Sequence, residues 1–240
     1  MKADGIGARV TRKEDHRFLT GNGQYTDDIT LPHQSYAAFV RSPHAHATIN
    51  SIDSKAAAAM PGVLAIFTGK DIAATGIGGL PCGWLINNKD GSPMKEPPHH
   101  ILAVDKARYV GDQVAIVVAE TLEQARAAAE AVEVDYGVLP AVVDTGTASK
   151  AKASVHDAAA DNVCYVWGHG DGAAVDKALA SAHKVSTLDI VNNRLIPNAI
   201  EPRAANAVYD KSRPARKPPR PSAPSVCRPA PRTAPRPPRR

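Results

Sequence analysis

Short apolar runs separated by turn residues fill the first two thirds of the chain, and they predict alternating strands and helices. Ser35–Arg41 and His46–Ile52 read as two strands linked through Ser42-Pro43. Asp53 or Ser54 stands where a helix needs an N-terminal cap, Lys55–Met60 supplies a short helix, and Pro61-Gly62 ends it. Val63–Thr68 is the next strand. Gly69 to His100 is rich in Gly, Pro and Asn and reads as a long loop. Tyr109–Gly111 then leads into Val114–Ala119, an apolar run of the length that suits a buried strand. Thr121 and Gln124 have capping-box spacing ahead of the alanine-rich segment Glu123–Val132, which predicts a helix. Val132–Tyr136 follows as a strand. Strand, helix and strand in such close succession predict a compact α/β layer.

The flanks are less regular. Residues 5–34 read as an extended arm with turns at Gly21-Asn22-Gly23 and Asp27-Asp28, closed by Leu31-Pro32. Pro140 through Ser154 reads as a linker of small residues. Beyond it, Asp171–His183 predicts a helix, and Lys184–Val191 and Ala204–Tyr209 predict strands. No internal repeat is apparent.

Composition changes this picture at one place, between Asp210 and Lys211. The thirty residues from Lys211 to Arg240 hold ten of the 20 prolines and ten of the 29 basic residues, with no Asp or Glu. Without them, nineteen basic residues face 24 acidic ones, so the body carries a net charge of −5 although the whole chain carries +5. Overall charge is therefore a property of the tail, and it gives no reason to assign nucleic-acid binding to the body. Three readings of the tail compete. Arg, Pro, Ala and Ser are favoured when a GC-rich gene is read out of frame, so a frameshift product is the preferred reading. A genuine disordered arm with polyproline II character would bind a polyanion through counterion release, although it lacks aromatic residues for stacking on bases. A linker to a further domain is the third, and the basic monotony disfavours it.

Cys82, Cys164 and Cys227 are isolated, with no CxxC pair, which points to a reducing compartment and away from a zinc or iron–sulfur site within this chain. Val114–Ala119 is far shorter than a membrane-spanning helix, and Met1–Asp15 has no apolar core of a signal peptide. The expectation is a cytoplasmic protein.

Candidate chemistry is sparse. His44 and His46, two apart at a strand end, would share a face as metal ligands, but no third or fourth ligand lies nearby, so polar strand-end histidines are expected. His99-His100 behind Pro97-Pro98 read as a loop pair. Gly76-Ile77-Gly78-Gly79 lacks the following helix that a phosphate cradle requires. Gly168-His169-Gly170-Asp171-Gly172 reads as a turn into a helix cap. Cys82 has no basic neighbour in sequence to activate it, and Cys164, between Val163 and Tyr165, is expected to pack. Glu201-Pro202-Arg203 offers either a functional acid beside a cation or a structural clamp. GxSxG, P-loop and HExxH motifs are absent. These residues assign no catalytic and no metal-ligating position.

Several stretches together resemble one family. They are Arg17-Phe18-Leu19-Thr20-Gly21-Asn22-Gly23-Gln24-Tyr25-Thr26-Asp27-Asp28-Ile29, Ala38-Phe39-Val40-Arg41-Ser42-Pro43-His44-Ala45-His46-Ala47, Pro61-Gly62-Val63 ahead of Phe67-Thr68-Gly69, Tyr109-Val110-Gly111-Asp112-Gln113-Val114-Ala115 and Val132-Glu133-Val134-Asp135-Tyr136. In this order they resemble the N-terminal part of the molybdopterin-binding large subunit of molybdenum hydroxylases, the family of xanthine dehydrogenases, aldehyde oxidases and aerobic carbon monoxide dehydrogenases. Asn192-Asn193-Arg194-Leu195-Ile196-Pro197-Asn198-Ala199-Ile200-Glu201-Pro202-Arg203-Ala204 resembles the segment leading into the family's molybdenum-cofactor domain.

The resemblance implies an α+β protein: an arm over 1–20, an α/β hammerhead domain over 21–139, a linker over 140–154, the incomplete start of the cofactor domain over 155–210, and the tail over 211–240. It implies an oxidoreductase that inserts water-derived oxygen into an aldehyde, an N-heterocycle or a similar small substrate, or oxidises CO. Electrons would pass from molybdenum-molybdopterin to 2Fe-2S and FAD groups on separate small iron–sulfur and medium FAD subunits. The family's glutamine beside molybdenum, its glycine-rich cofactor loop and its late catalytic glutamate cannot be placed in this chain. No cofactor-contacting residue is assigned, and the expectation is a truncated chain that is inactive alone and binds no cofactor itself. The alternative is a non-catalytic subunit-docking module whose basic tail binds a polyanion.

Overall fold

A computed structural model describes residues 12–208 except Arg194, Pro197, Ile200 and Pro202, so the tail and residues 5–11 of the arm lie outside the described residues. The described chain divides into two units, residues 33–187 and residues 12–32 with 188–208.

The first unit is built on two three-stranded antiparallel sheets. In one, β5 (Gln113–Ala119) lies between β1 (Tyr36–Arg41) and β3 (Val63–Thr68), so that Ile116 faces Phe39 on one side and Phe67 on the other. In the other, β2 (Ala47–Asp53) lies between β4 (Lys106–Ala107) and β6 (Glu133–Val138), with Ile49 opposite Tyr136 and Ile52 opposite Val134. β5 owes its central place to its composition. Val114, Ala115, Val117 and Ala119 are fully buried, as a strand with neighbours on both edges and cover above and below requires.

The strand–helix–strand succession is present, but its two strands belong to different sheets. Between them α4 (Leu122–Glu130) opens on the expected capping box, in which Thr121 N–H donates to Gln124 Oε1 at 3.0 Å and Gln124 N–H to Thr121 Oγ1 at 3.2 Å. Ala125 and Ala128, three apart and therefore on one face, are completely buried where α4 crosses β1 and β5. Val117, Ala57, Ala128 and Val132 form one core cluster, and Ile49, Ala103 and Val114 form a second between the sheets. The short α2 (Lys55–Ala58) adds Ala57 to the first, and Asp53 Oδ1 accepts from Lys55 N–H at 3.0 Å while Ser54 makes no side-chain cap.

Several expectations need correction. Gly69 begins a helix, α3 (Gly69–Ala74), because Thr68 and Asp71 form a reciprocal capping box that reading the segment by its glycines overlooks. Irregular backbone then runs to His100, apart from a hairpin closed by the Asn87–Pro93 bridge. Lys184–Val191 is not a strand, nor are residues 204–208. A segment of strand-forming composition makes a strand only where another strand pairs with it, and none does so among the described residues. Tyr209 lies outside the described residues. The predicted helix is present as α5 (Gly172–Ser181), capped by Asp171 Oδ1, which accepts from Ala174 N–H at 3.0 Å.

In the second unit, the arm is not simply extended. It carries one short helix, α1 (Asp15–Leu19), whose first turn is tied by Arg12 Nε to Asp15 Oδ1 at 2.9 Å, and a 3₁₀ turn at Thr26–Asp28. No helix among the described residues is long and apolar enough to cross a membrane.

Candidate functional site

The bend between β1 and β2 holds His44 and His46, and it turns them to different tasks. His46 is 6% exposed, and its Nδ1 lies 2.9 Å from the Pro140 carbonyl oxygen, so Nδ1 carries the proton and donates. Its Nε2 is buried with no partner among the described residues. Leu139 N–H donates to His46 O at 2.9 Å, and together these bonds pin the chain where it leaves β6. The His44 ring instead stands edge-on to Tyr136, with centroids 5.1 Å apart. No group of three or more His, Cys, Asp or Glu arranged to hold a metal occurs among the described residues. Burial raises the Tyr136 phenol above its ordinary pKa.

Beside this bend lies a cavity of about 280 Å³. One wall is the run Pro97–His100. The second is the turn Arg108–Asp112 ahead of β5, and His156 and Cys164 close the third side. The turn is held firmly. Arg41 Nη1 donates to Gly111 O at 2.9 Å, Ser42 N–H to Asp112 O at 2.8 Å, and Gly111 N–H to Ser42 O at 2.8 Å. Gly111 has φ of 89°, a left-handed conformation that favours glycine. Asp112 Oδ2 accepts from Arg108 N–H at 2.9 Å, and Arg108 Nη1 donates to Lys106 O at 3.1 Å. His156 is held below its ordinary pKa, first by burial and then by the Arg108 charge, so its ring is neutral at pH 7. Next to it, Asp157 pairs with Lys106 at 3.0 Å.

His99 and His100, expected as a plain loop pair, thus form part of a concave wall. Arg108, Asp112 and His156 were not singled out in sequence, because they come from two separate segments and no spacing rule connects them. Cys164 is half-buried in the same wall, while Cys82 is exposed, its Sγ 3.3 Å from Trp84 O. Gly79 packs against the His99 backbone, to which Leu80 N–H donates at 2.8 Å, so close chain approach accounts for this glycine.

Glu201 belongs to the second unit. Its Oε1 accepts from both the N–H and the Oγ1 of Thr26 at 3.1 Å, and Asn206 Nδ2 donates to Thr26 O at 2.8 Å. The clamp reading of Glu201 therefore holds: it ties the turn at Thr26–Asp28 to a segment far along the chain.

Residues 20–140 match the family model described as aldehyde oxidase and xanthine dehydrogenase, a/b hammerhead domain. The carbon monoxide dehydrogenase large chain of Afipia carboxidovorans is 34% identical over 223 residues, covering 88% of this chain and 26% of that relative. The nicotine 6-hydroxylase large subunit of Paenarthrobacter nicotinovorans is 35% identical over 205 residues, covering 85% and 24%. Among solved structures, the reconstituted CO dehydrogenase from Oligotropha carboxidovorans superposes with a TM-score of 0.59 at 32% identity, over 76% of this chain and 23% of that one. The chain thus spans about a quarter of the length of these curated relatives. With a hammerhead match over half its length and relatives of this kind covering most of it, the chain belongs to the aldehyde oxidase and xanthine dehydrogenase family of molybdenum hydroxylase large subunits.

Proposed function

We propose that this chain is the N-terminal portion of the large, molybdopterin-binding subunit of a molybdenum hydroxylase, and that its hammerhead domain is a docking and framing element rather than a site of chemistry. The parent enzyme oxidises CO or hydroxylates a small aldehyde or N-heterocycle with water-derived oxygen. Residues 155–210 form the incomplete start of its cofactor domain. The small iron–sulfur and medium FAD subunits of a heterotrimer are the partners. One observation carries this reading: the hammerhead match spans residues 20–140 and coincides with the two buried core clusters.

The described residues do not fit a molybdenum cofactor. Gly79 is accounted for by the His99 backbone, and Gly76 and Gly78 face open space rather than a ring of converging donors. The carboxylate best placed to serve as an acid or base by its sequence, Glu201, is engaged by Thr26. No step is therefore drawn through the cofactor, and this chain alone is proposed to be inactive.

The test is co-expression of the chain with the small and medium subunits of a carbon monoxide dehydrogenase relative, followed by affinity purification through the chain. Co-elution of both subunits at equal stoichiometry is the expected result. A chain that elutes free of both, while circular dichroism reports a folded protein, overturns the docking assignment.

A further inference from the structure

We propose that the cavity between Pro97–His100, the turn Arg108–Asp112 and His156 is a binding site for a small organic monoanion whose carboxylate faces Arg108 and His156. The volume sets the size. About 280 Å³ lies just below the range of pockets that take drug-sized ligands, so it admits one ring and excludes a nucleotide. The lining sets the body of the ligand, because Pro97, Pro98, Ala103 and Cys164 present apolar surface to it.

Charge sets the head group. The Arg108 side chain is only 15% exposed, and its Nη1 donates to a neutral carbonyl. Among the described residues its one ion-pair partner is Asp105, at 3.5 Å and 60% exposed. Asp112 spends Oδ2 on the Arg108 backbone N–H. Ion pairing of the guanidinium among the described residues is thus limited to an exposed carboxylate, and a carboxylate bound in the cavity gains a charge-assisted contact in a partly desolvated setting. Asp112 also limits the ligand to a single negative charge. With a monoanion bound and His156 protonated, Arg108 and His156 balance Asp112 and the ligand.

Proton uptake follows from this balance. The groups that bear on His156 are Arg108, Asp112, Asp157 and His46, with His99, His100, Tyr109 and Cys164 around the same cavity. Burial and Arg108 keep the ring neutral in the empty site, and a bound carboxylate offsets both. Affinity for the anion therefore rises as pH falls through the imidazole range.

Titration of the full chain with benzoate, and with benzamide as its neutral isostere, by isothermal calorimetry tests the proposal. Benzoate saturates one site, binds at least about tenfold more tightly than benzamide, and loses that margin in Arg108→Gln. Because Arg108 also braces its turn, Pro98→Asp serves as a second variant: it sets a like charge at the cavity mouth and abolishes benzoate binding without altering the circular dichroism spectrum. His156→Gln retains binding and flattens its pH dependence. Non-saturating benzoate, equal affinity for benzamide, or benzoate binding unchanged in both Arg108→Gln and Pro98→Asp overturns the assignment.

Discussion

Val117 is the residue whose truncation tests the packing of the hammerhead core most sharply. It is fully buried at the middle of β5, against Ala57, Ala128 and Val132, with Val40 and Ile66 beside it. Val117→Ala removes two carbons, about 1.6 kcal/mol of transfer free energy at roughly 0.8 kcal/mol per methylene. Two of its closest neighbours are alanines on α2 and α4, too short to reach into the space left behind. The cavity therefore persists and adds to the loss, for a total of about 2–3 kcal/mol. In a unit of this size each kcal/mol lowers Tm by roughly 2–4 °C, so a fall of about 5–10 °C accompanies it. Urea unfolding followed by circular dichroism, with the m-value checked for constancy, gives the free energy directly. Leu64→Ala, at the β3 bulge and 57% exposed, is the control and changes stability by no more than about 0.5 kcal/mol. If Val117→Ala costs no more than Leu64→Ala, β5 is not the buried centre of this domain.

Other consequences are equally direct. Gly62 has φ of 79° and backs onto the Gln124 amide, so Gly62→Ala strains the turn by about 1–2 kcal/mol; it also displaces a group of the Thr121 capping box, and thermal unfolding reads the sum. Hydrogen bonds from Thr68, first through its side chain and then its backbone, lower the Asp71 pKa. A depressed folded value means the stabilisation is present at neutral pH and lost as pH falls through that value, so Asp71→Asn flattens the acid limb of the stability curve. His156, also lowered, favours the neutral ring when folded, so its contribution is complete above the ordinary imidazole pKa and declines below it; His156→Gln removes that mildly acidic decline. Glu201→Ala deprives Thr26 of its acceptor, and hydrogen exchange at the Thr26 amide accelerates while amides of β5 keep their protection.

The elements that local rules govern were legible in the sequence. The Thr121–Gln124 box and the alanine face behind it announce α4, and the unbroken apolar run Val114–Ala119 announces a strand with cover on both faces. α3 was hidden because its signal, Thr68 and Asp71, sits at the border of a segment dominated by glycine and proline. Pairing was not legible either: nothing in β5, α4 and β6 reveals that the two strands join different sheets, since that depends on contacts with β1, β3 and β2. The strands expected at 184–191 and at 204–209, of which 204–208 are described, failed for the related reason that composition records a preference, while a partner strand makes the structure. The cavity was invisible for a third reason. Arg108 and Asp112 carry one wall and His156 another, and only the turn held by Arg41, Ser42 and Gly111 brings them together. The tail Lys211–Arg240 was conspicuous in composition, and it lies outside the described residues.

In the proposed function, this chain frames a molybdenum hydroxylase without itself holding the reacting centre. The molybdenum content of the full chain, purified from a host that makes the cofactor, tests it most directly when paired with dye reduction on CO, an aldehyde and a purine. The expected result is folded protein with molybdenum far below one atom per chain and no turnover on any of the three. Stoichiometric molybdenum with substrate-dependent dye reduction would contradict it.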